Sequence, residues 1–177
     1  PFAIPSHEIV FDLFVCLPLG DQRTHFVELR PGHRRGGIGD RQALAHRTPQ
    51  YLAELLNRDN HTVDMAADGR FAIEKLQDRE FDLVISDLHM QEMDGIGVLK
   101  ATKEKNKNTE VLILTGNGSI PSAVEAMRLG AFDYITKPLD LEGFRMKVRQ
   151  ALERRSMRLQ IENQRREIQA QQEMIQR

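Results

Sequence analysis

The chain has 177 residues, 40% of them hydrophobic and 29% charged, which is enough apolar material for one globular domain with an appendage. The formal net charge of −1 excludes a strongly basic nucleic-acid-binding chain and a polyacidic one. A single cysteine, Cys16, excludes a disulfide framework and favours a reducing compartment. No apolar run reaches the roughly 18 residues that would span a bilayer, so we expect a cytoplasmic chain without a membrane partner.

Three segments of different composition follow one another along the chain. Residues 1–48 contain six arginines and no lysine and show little periodicity, and they begin at Pro1 rather than at a methionine, as expected for a fragment. Beyond residue 152, glycine and proline are absent, and Glu, Gln and Arg dominate. We therefore predict an atypical N-terminal segment at 1–47, one domain at 48–152 and a linker or signalling helix at 153–177.

Strand and helix patterns alternate within the predicted domain. Short apolar runs predict four strands at Thr62–Ala66, Leu83–Ser86, Val111–Leu114 and Tyr134–Thr136. Amphipathic stretches predict helices that begin near Pro49, Gly69, Gly95, Ser119 and Asp140. This alternation predicts an α/β fold, a doubly wound parallel sheet with helices on both faces.

Polar side chains follow three of these strands directly. Asp87 follows the second predicted strand, Thr115 the third, and Lys137 the fourth. Because ligands of such sheets bind beyond the carboxyl ends of the strands, we expect these three residues to converge on one edge. A carboxylate can attack phosphorus, while an ammonium and a hydroxyl can hold the oxygens of a transferring phosphoryl group. Each residue alone has an ordinary explanation as a cap, a turn former or a solvated charge.

The segments Leu83–Met90, Met93–Gly95, Leu114–Gly116 and Gly130–Pro138 together resemble the receiver domain of two-component response regulators. The resemblance covers roughly residues 48–152, and the motifs agree in order and spacing. It implies a flavodoxin-like sheet of five strands in the order 2-1-3-4-5. It also implies transfer of a phosphoryl group from a histidine kinase or phosphotransfer protein to an aspartate, with Mg²⁺.

The resemblance assigns roles to individual residues. Asp87 looks like the phosphoacceptor, and the backbone carbonyl of His89 looks like a ligand of the metal. Thr115 looks like the hydroxyl that contacts the phosphoryl group, and Lys137 looks like its counter-ion. Tyr134 looks like the aromatic switch that follows the movement of Thr115. The family also implies a cis peptide bond between the lysine and the proline that follows it.

The chain departs from the family upstream of residue 48. The family has a first strand that ends in two adjacent acids, which hold Mg²⁺, but the matching stretch here is Gln42–Ala45 and contains no carboxylate. Asp40 is the nearest acid and serves only as a weak substitute. Because Mg²⁺ prefers charged oxygen ligands, we expect it to bind weakly to Asp87 and the His89 carbonyl alone.

The first strand is therefore expected to be atypical, and three interpretations stay open. Ile9–Leu17 reads as a buried strand, but its use requires a loop of about 30 residues before the first helix, which is uncommon in compact domains. Alternatively, the Ile38–Leu44 region occupies the position. In the third interpretation, the residues before Thr48 are translated from a shifted reading frame.

The C-terminal helix carries half of a heptad pattern. Ile161, Ile168 and Ile175 recur every seven residues, while the alternate positions hold Met157, Gln164 and Gln171. This pattern permits at most a weak homodimer through a coiled coil, and a solvated linker helix is the alternative.

The sequence thus predicts a phosphoacceptor module, rather than an enzyme, that signals to a C-terminal output domain outside this chain. A pseudo-receiver that only binds partners is the alternative, because the metal-binding acids are missing. A phosphohydrolase with an aspartyl intermediate ranks last, because such enzymes commonly carry an acid two residues after the nucleophile, where His89 stands here.

Overall fold

The computed structural model describes residues 8–12, 49–66, 68–90, 94–116 and 118–175. Its strands are β1 (Glu8–Asp12), β2 (Thr62–Ala66), β3 (Leu83–Asp87), β4 (Glu110–Thr115) and β5 (Asp133–Thr136). Its helices are α1 (Pro49–Arg58), α2 (Gly69–Asp78), α3 (Gly95–Lys105), α4 (Ile120–Arg128) and α5 (Leu141–Ile175). Among the described helices, none combines the length and the apolar character required to cross a membrane.

The five strands form one parallel sheet in the order β2-β1-β3-β4-β5. The apolar residues of β3 and β4 are buried, as expected for central strands that are covered by helices on both faces. The core also includes Leu56, Leu99 and Phe144 from three different helices. The α/β class and the parallel sheet with flanking helices are confirmed.

The first strand corrects the sequence analysis. Glu8–Asp12 pairs with β2 on one side and with β3 on the other, so the sheet includes residues N-terminal to the boundary predicted at residue 48. The strand lies within Ile9–Leu17 apart from Glu8, which is the first of the three interpretations, and the long connection is tolerated because the cost of closing a loop rises by only about 0.6 kcal/mol for each doubling of its length. Two ladders of backbone hydrogen bonds offset that cost, since the facing edges of β2 and β3 need partners. The alternative segment Ile38–Leu44 and Asp40 lie outside the described residues.

Polar caps start the helices that surround the site. The Asp94 carboxylate accepts a hydrogen bond from the Gly97 backbone N–H at 2.8 Å and begins α3. The Asp140 carboxylate accepts one from the Gly143 N–H at 3.0 Å and begins α5, as the sequence predicts. Such caps satisfy backbone donors that the first helical turn leaves without partners.

The last helix remains in contact with the domain beyond residue 152, where the sequence predicts a linker or signalling helix. The buried Arg155 guanidinium pairs with Asp82 at 2.6 Å, directly before β3. Arg154 Nε and Nη2 donate to the two carboxylate oxygens of the buried Glu110, which begins β4, at 2.8 and 2.7 Å. Arg158 lies 3.5 Å from the same carboxylate. We call these five residues the amino-edge ion network.

Two further contacts extend this attachment. Lys103 of α3 lies 3.8 Å from Glu110, and burial lowers the pKa of Lys103 although the Glu110 charge opposes the shift. The Asn108 side-chain amide donates to the Glu162 carboxylate at 2.9 Å, so α5 contacts the domain as far as residue 162. These contacts were not predicted, because hydrophobic periodicity reveals only the apolar face of the helix and they are made by its polar side chains.

We predict that Asp82→Asn lowers the free energy of unfolding by about 3–5 kcal/mol, because it leaves the Arg155 charge buried without its counter-ion. Among the described residues, Arg155 Nε has no hydrogen-bond partner to compensate for this loss. Glu125→Gln is the control, since it breaks a half-exposed pair with Lys100 at 4.0 Å, and about 1 kcal/mol or less is expected. Urea denaturation of both variants measures the difference, and equal effects would contradict the prediction.

Candidate functional site

The Asp87 carboxylate lies at the carboxyl end of β3, where parallel strands present their final residues at one edge of the sheet. Its Oδ1 accepts a hydrogen bond from the backbone N–H of His89 at 3.0 Å. Its Oδ2 forms an ion pair with Lys137 Nζ. The side chain is 23% exposed, so the carboxylate is held by two donors and still open to solvent.

Thr115 and Lys137 reach this edge from the neighbouring strands. Thr115 is the buried last residue of β4, and it follows Leu114, which is in register with Asp87. The backbone N–H of Lys137 donates to the Thr115 carbonyl at 2.7 Å, which ties the end of β5 to the end of β4. The structure therefore brings together the three residues that the sequence placed at the strand ends. The peptide bond between Lys137 and Pro138 is cis, as predicted.

A close turn fixes the backbone around Asp87. The Leu88 N–H donates to the Leu114 carbonyl at 2.7 Å, and the Gly95 N–H donates to the Leu88 carbonyl at 3.1 Å. A Cβ atom on Gly95 would lie 2.4 Å from the Asp87 carbonyl oxygen and 2.9 Å from Ser86 Oγ. Only glycine therefore fits at the start of α3, because the backbone there presses against the end of β3.

Tyr134 lies on β5 beside the end of β4. A Cβ atom on Gly118 would meet the Tyr134 hydroxyl at 2.8 Å and Thr115 Cγ2 at 2.9 Å, so the ring and the threonine methyl group face the same glycine. The Tyr134 hydroxyl lies 2.9 Å from Ser122 Oγ on α4. Ser122 was not predicted from the sequence, although Ser119 and Ser122 stand at the spacing of a capping box.

Among the described residues, the edge of the sheet that holds Asp87 offers few groups that could bind a metal ion. Asp87 contributes a carboxylate, and His89 lies in the turn that follows it. The strand β1 also ends at this edge, where the backbone of its last residue, Asp12, is in register with Ala66. No group of three or more His, Cys, Asp or Glu side chains that could hold a metal occurs in the part of the chain that the structure describes. Mg²⁺ is usually bound by one or two carboxylates together with waters and phosphate oxygens, and Asp87 supplies a carboxylate of this kind.

A family model matches the part of the chain that contains these three strand ends. The model of the family described as "Response regulator receiver domain" matches residues 45–149, more than half of the chain. The chain belongs to this family. Its flavodoxin-like receiver fold is also that of the solved receiver domain from Clostridium thermocellum, which has a TM-score of 0.58 and 28% identity, and the alignment covers 61% of this chain and 87% of that chain.

Several of the similar proteins are regulatory proteins that are much longer than the matched segment. The transcriptional regulatory protein ZraR of Escherichia coli strain K12 is 43% identical over 101 residues, which cover 57% of this chain and 23% of that protein. LuxO of Vibrio cholerae is 37% identical over 119 residues, 67% of this chain and 25% of that protein. NtrX from Brucella abortus has a TM-score of 0.60 at 28% identity, covering 72% of this chain and 28% of that chain. This receiver domain thus spans about a quarter of the length of these relatives.

We predict that Gly95→Ala destabilises the domain by about 1–3 kcal/mol, because the added methyl group displaces the backbone that carries Asp87. Gly116→Ala is the matched control one strand away, since nothing lies within 4 Å of its Cβ position. The control should be neutral or slightly stabilising, because alanine restricts the unfolded chain. Urea denaturation compares the two, and a neutral Gly95→Ala would show that the turn can relax.

Proposed function

We propose that this receiver domain accepts a phosphoryl group on Asp87 from a histidine kinase or phosphotransfer protein and signals to an output domain that follows residue 177. The observation that carries the proposal is the ion pair of the Asp87 carboxylate with Lys137 at the edge that also holds Thr115. The module is proposed to act as a phosphoacceptor and not as an enzyme with a substrate of its own.

The chemistry follows from the groups around Asp87. A carboxylate oxygen of Asp87 attacks phosphorus, the bond from phosphorus to the donor nitrogen breaks, and the electron pair leaves with the donor imidazole. The Lys137 ammonium neutralises charge on the phosphoryl oxygens, and the Thr115 hydroxyl donates a hydrogen bond to one of them. The N–H of His89 orients the carboxylate through Oδ1.

We further propose that Mg²⁺ binds this chain more weakly than it binds a complete acidic site. Asp87 and the His89 carbonyl are the proposed donors. A bound ion would supply additional neutralisation of the phosphoryl oxygens. The partial donor set also favours the second candidate function, a pseudo-receiver that binds partners without being phosphorylated.

We predict slow, Mg²⁺-dependent phosphorylation of the chain by acetyl phosphate, detected by intact mass as the addition of one phosphoryl group. Asp87→Asn should abolish the adduct, because the amide is not nucleophilic toward phosphorus. Asp64→Asn is the matched control: Asp64 is also a lysine-paired carboxylate, 22% exposed, but it lies in the middle of the edge strand β2. The control should keep the adduct.

The Mg²⁺ dependence of the same reaction separates the alternatives. A weak site predicts a rate that still rises at Mg²⁺ concentrations that saturate an ordinary receiver. Saturation at low Mg²⁺ would contradict the weak site. No adduct at any concentration would favour the pseudo-receiver, and rapid turnover of the phosphodonor would indicate a phosphohydrolase.

The exposed part of α5 is proposed to form a weak homodimer. Ile161, Ile168 and Ile175 are 49%, 55% and 83% exposed. At 3.6 residues per turn, they lie on the side of the helix that faces away from Arg155 and thus from the domain. A second copy can therefore pack against this side without displacing the amino-edge ion network. One similar solved structure, the beryllofluoride-activated NtrC4 receiver domain with 27% identity, is described as a dimer.

We predict that sedimentation equilibrium of the chain shows a weak dimer that Ile168→Asp abolishes, because the carboxylate would be buried between the helices. Gln169→Asp adds the same charge in the same turn, on the side toward the domain, and should leave the dimer intact. Removal of residues 163–177 keeps the contacts of Arg158 and Glu162 and should give a monomer. Monomeric behaviour of the whole chain at high concentration would support the solvated linker instead.

A further inference from the structure

Ser122 contacts both the first turn of its own helix, α4, and the neighbouring strand β5. It is the third residue of α4, and its side chain closes a capping box with Ser119, the residue that begins the helix. Ser122 Oγ lies 2.9 Å from the Ser119 carbonyl oxygen and 3.2 Å from the Ser119 backbone nitrogen. The same oxygen lies 2.9 Å from the hydroxyl of Tyr134, on the neighbouring strand β5.

The hydrogen-bonding capacity of a serine hydroxyl defines how these contacts are used. A serine has one hydrogen to donate and two lone pairs that accept. Donation to the Ser119 carbonyl uses the hydrogen, and the Ser119 N–H occupies one lone pair. The second lone pair can accept from the Tyr134 hydroxyl at 2.9 Å or from the Ser119 hydroxyl at 3.0 Å, so the ring and the cap share one acceptor.

The ring that Ser122 holds is close to the functional edge. Tyr134 and the Thr115 methyl group both face Gly118, and there is no space there even for a methyl group. A displacement of Thr115 toward Asp87 would therefore open space next to the ring. The ring can use that space only if its hydroxyl leaves Ser122.

We infer that Ser122 is a positioning residue that holds Tyr134 against Gly118 in the unphosphorylated domain and couples the ring to the first turn of α4. The trigger, movement of Thr115 on phosphorylation, rests on the proposed function, whereas the resting contact does not. Loss of the contact with the ring leaves this acceptor to the Ser119 hydroxyl within the cap of α4. The position of the ring and the stability of this helical turn therefore change together.

The helix that Ser122 caps carries exposed apolar side chains. Ile120, Val124 and Met127 of α4 are 82%, 43% and 48% exposed. Ile120 is the first residue of the helix, inside the turn that the capping box closes. A change at Ser122 is thus transmitted to a surface that a partner can contact.

The composition of the chain makes the ring simple to observe. There are only two tyrosines, so Tyr51→Phe leaves Tyr134 as the sole source of tyrosine ring signals in an NMR spectrum of a ¹³C-tyrosine-labelled chain. In this background, without phosphodonor, Ser122→Ala should shift the Tyr134 ring signal. Ser122→Thr keeps the hydroxyl and should restore the original position.

Ser119→Ala is the matched control, because Ser119 belongs to the same capping box and its side chain contacts Ser122, at Oγ and at the backbone N–H. It should weaken the cap with little shift of the Tyr134 signal. Equal shifts from Ser119→Ala and Ser122→Ala, or no shift from Ser122→Ala, would overturn the inference.

Adding acetyl phosphate and Mg²⁺ separates this inference from the proposed function. Where intact mass shows the adduct, the Tyr134 signal of the Tyr51→Phe chain with Ser122 intact should move toward its position in Ser122→Ala. A signal that does not move would overturn the coupling. Absence of an adduct would count against phosphorylation at Asp87, while the comparison of the serine variants without phosphodonor still decides whether Ser122 positions the ring.

Discussion

All five strands run parallel, so their carboxyl ends meet at one edge of the sheet and their amino ends at the other. Asp87, Thr115 and Lys137 reach the first edge because each stands at or just after the end of a strand. If strand directions alternated, β4 would run opposite to β3 and β5, and Thr115 would lie at the other edge from Asp87 and Lys137. The placement of the site is therefore a consequence of strand direction.

The two edges hold their charges differently. At the carboxyl edge, the Asp87 side chain is 23% exposed, and its lysine partner is 35% exposed, which leaves the pair accessible to an incoming group. At the amino edge, Glu110 is fully buried and receives cations from both α3 and α5. The accessible Asp87–Lys137 pair can open to admit an incoming group, whereas the buried network holds α5 against the domain.

The sequence predicted those features that local rules determine. Asp87, Thr115 and Lys137 were found because they directly follow recognisable strands, and the start of α5 because Asp140 is a typical cap. The first strand stayed one of three interpretations because its pairing depends on the unfilled position between β2 and β3, which is a property of the assembled sheet. The contacts of Arg155 with Asp82 and of Ser122 with Tyr134 join distant elements, and residue spacing along the chain contains no record of them.

The position of β1 also has a kinetic consequence. Ile9 pairs with Val63 and with Leu83, so β1, the second strand in the sheet, is joined to its neighbours by contacts of large sequence separation. The pairs of β3 with β4 and of β4 with β5 join strands that are consecutive in the chain and are separated by a single helix. Contacts of high contact order form slowly, since chain entropy is lost before they contribute. The C-terminal half of the sheet is therefore the natural place for folding to begin, and the half that contains β1 completes it.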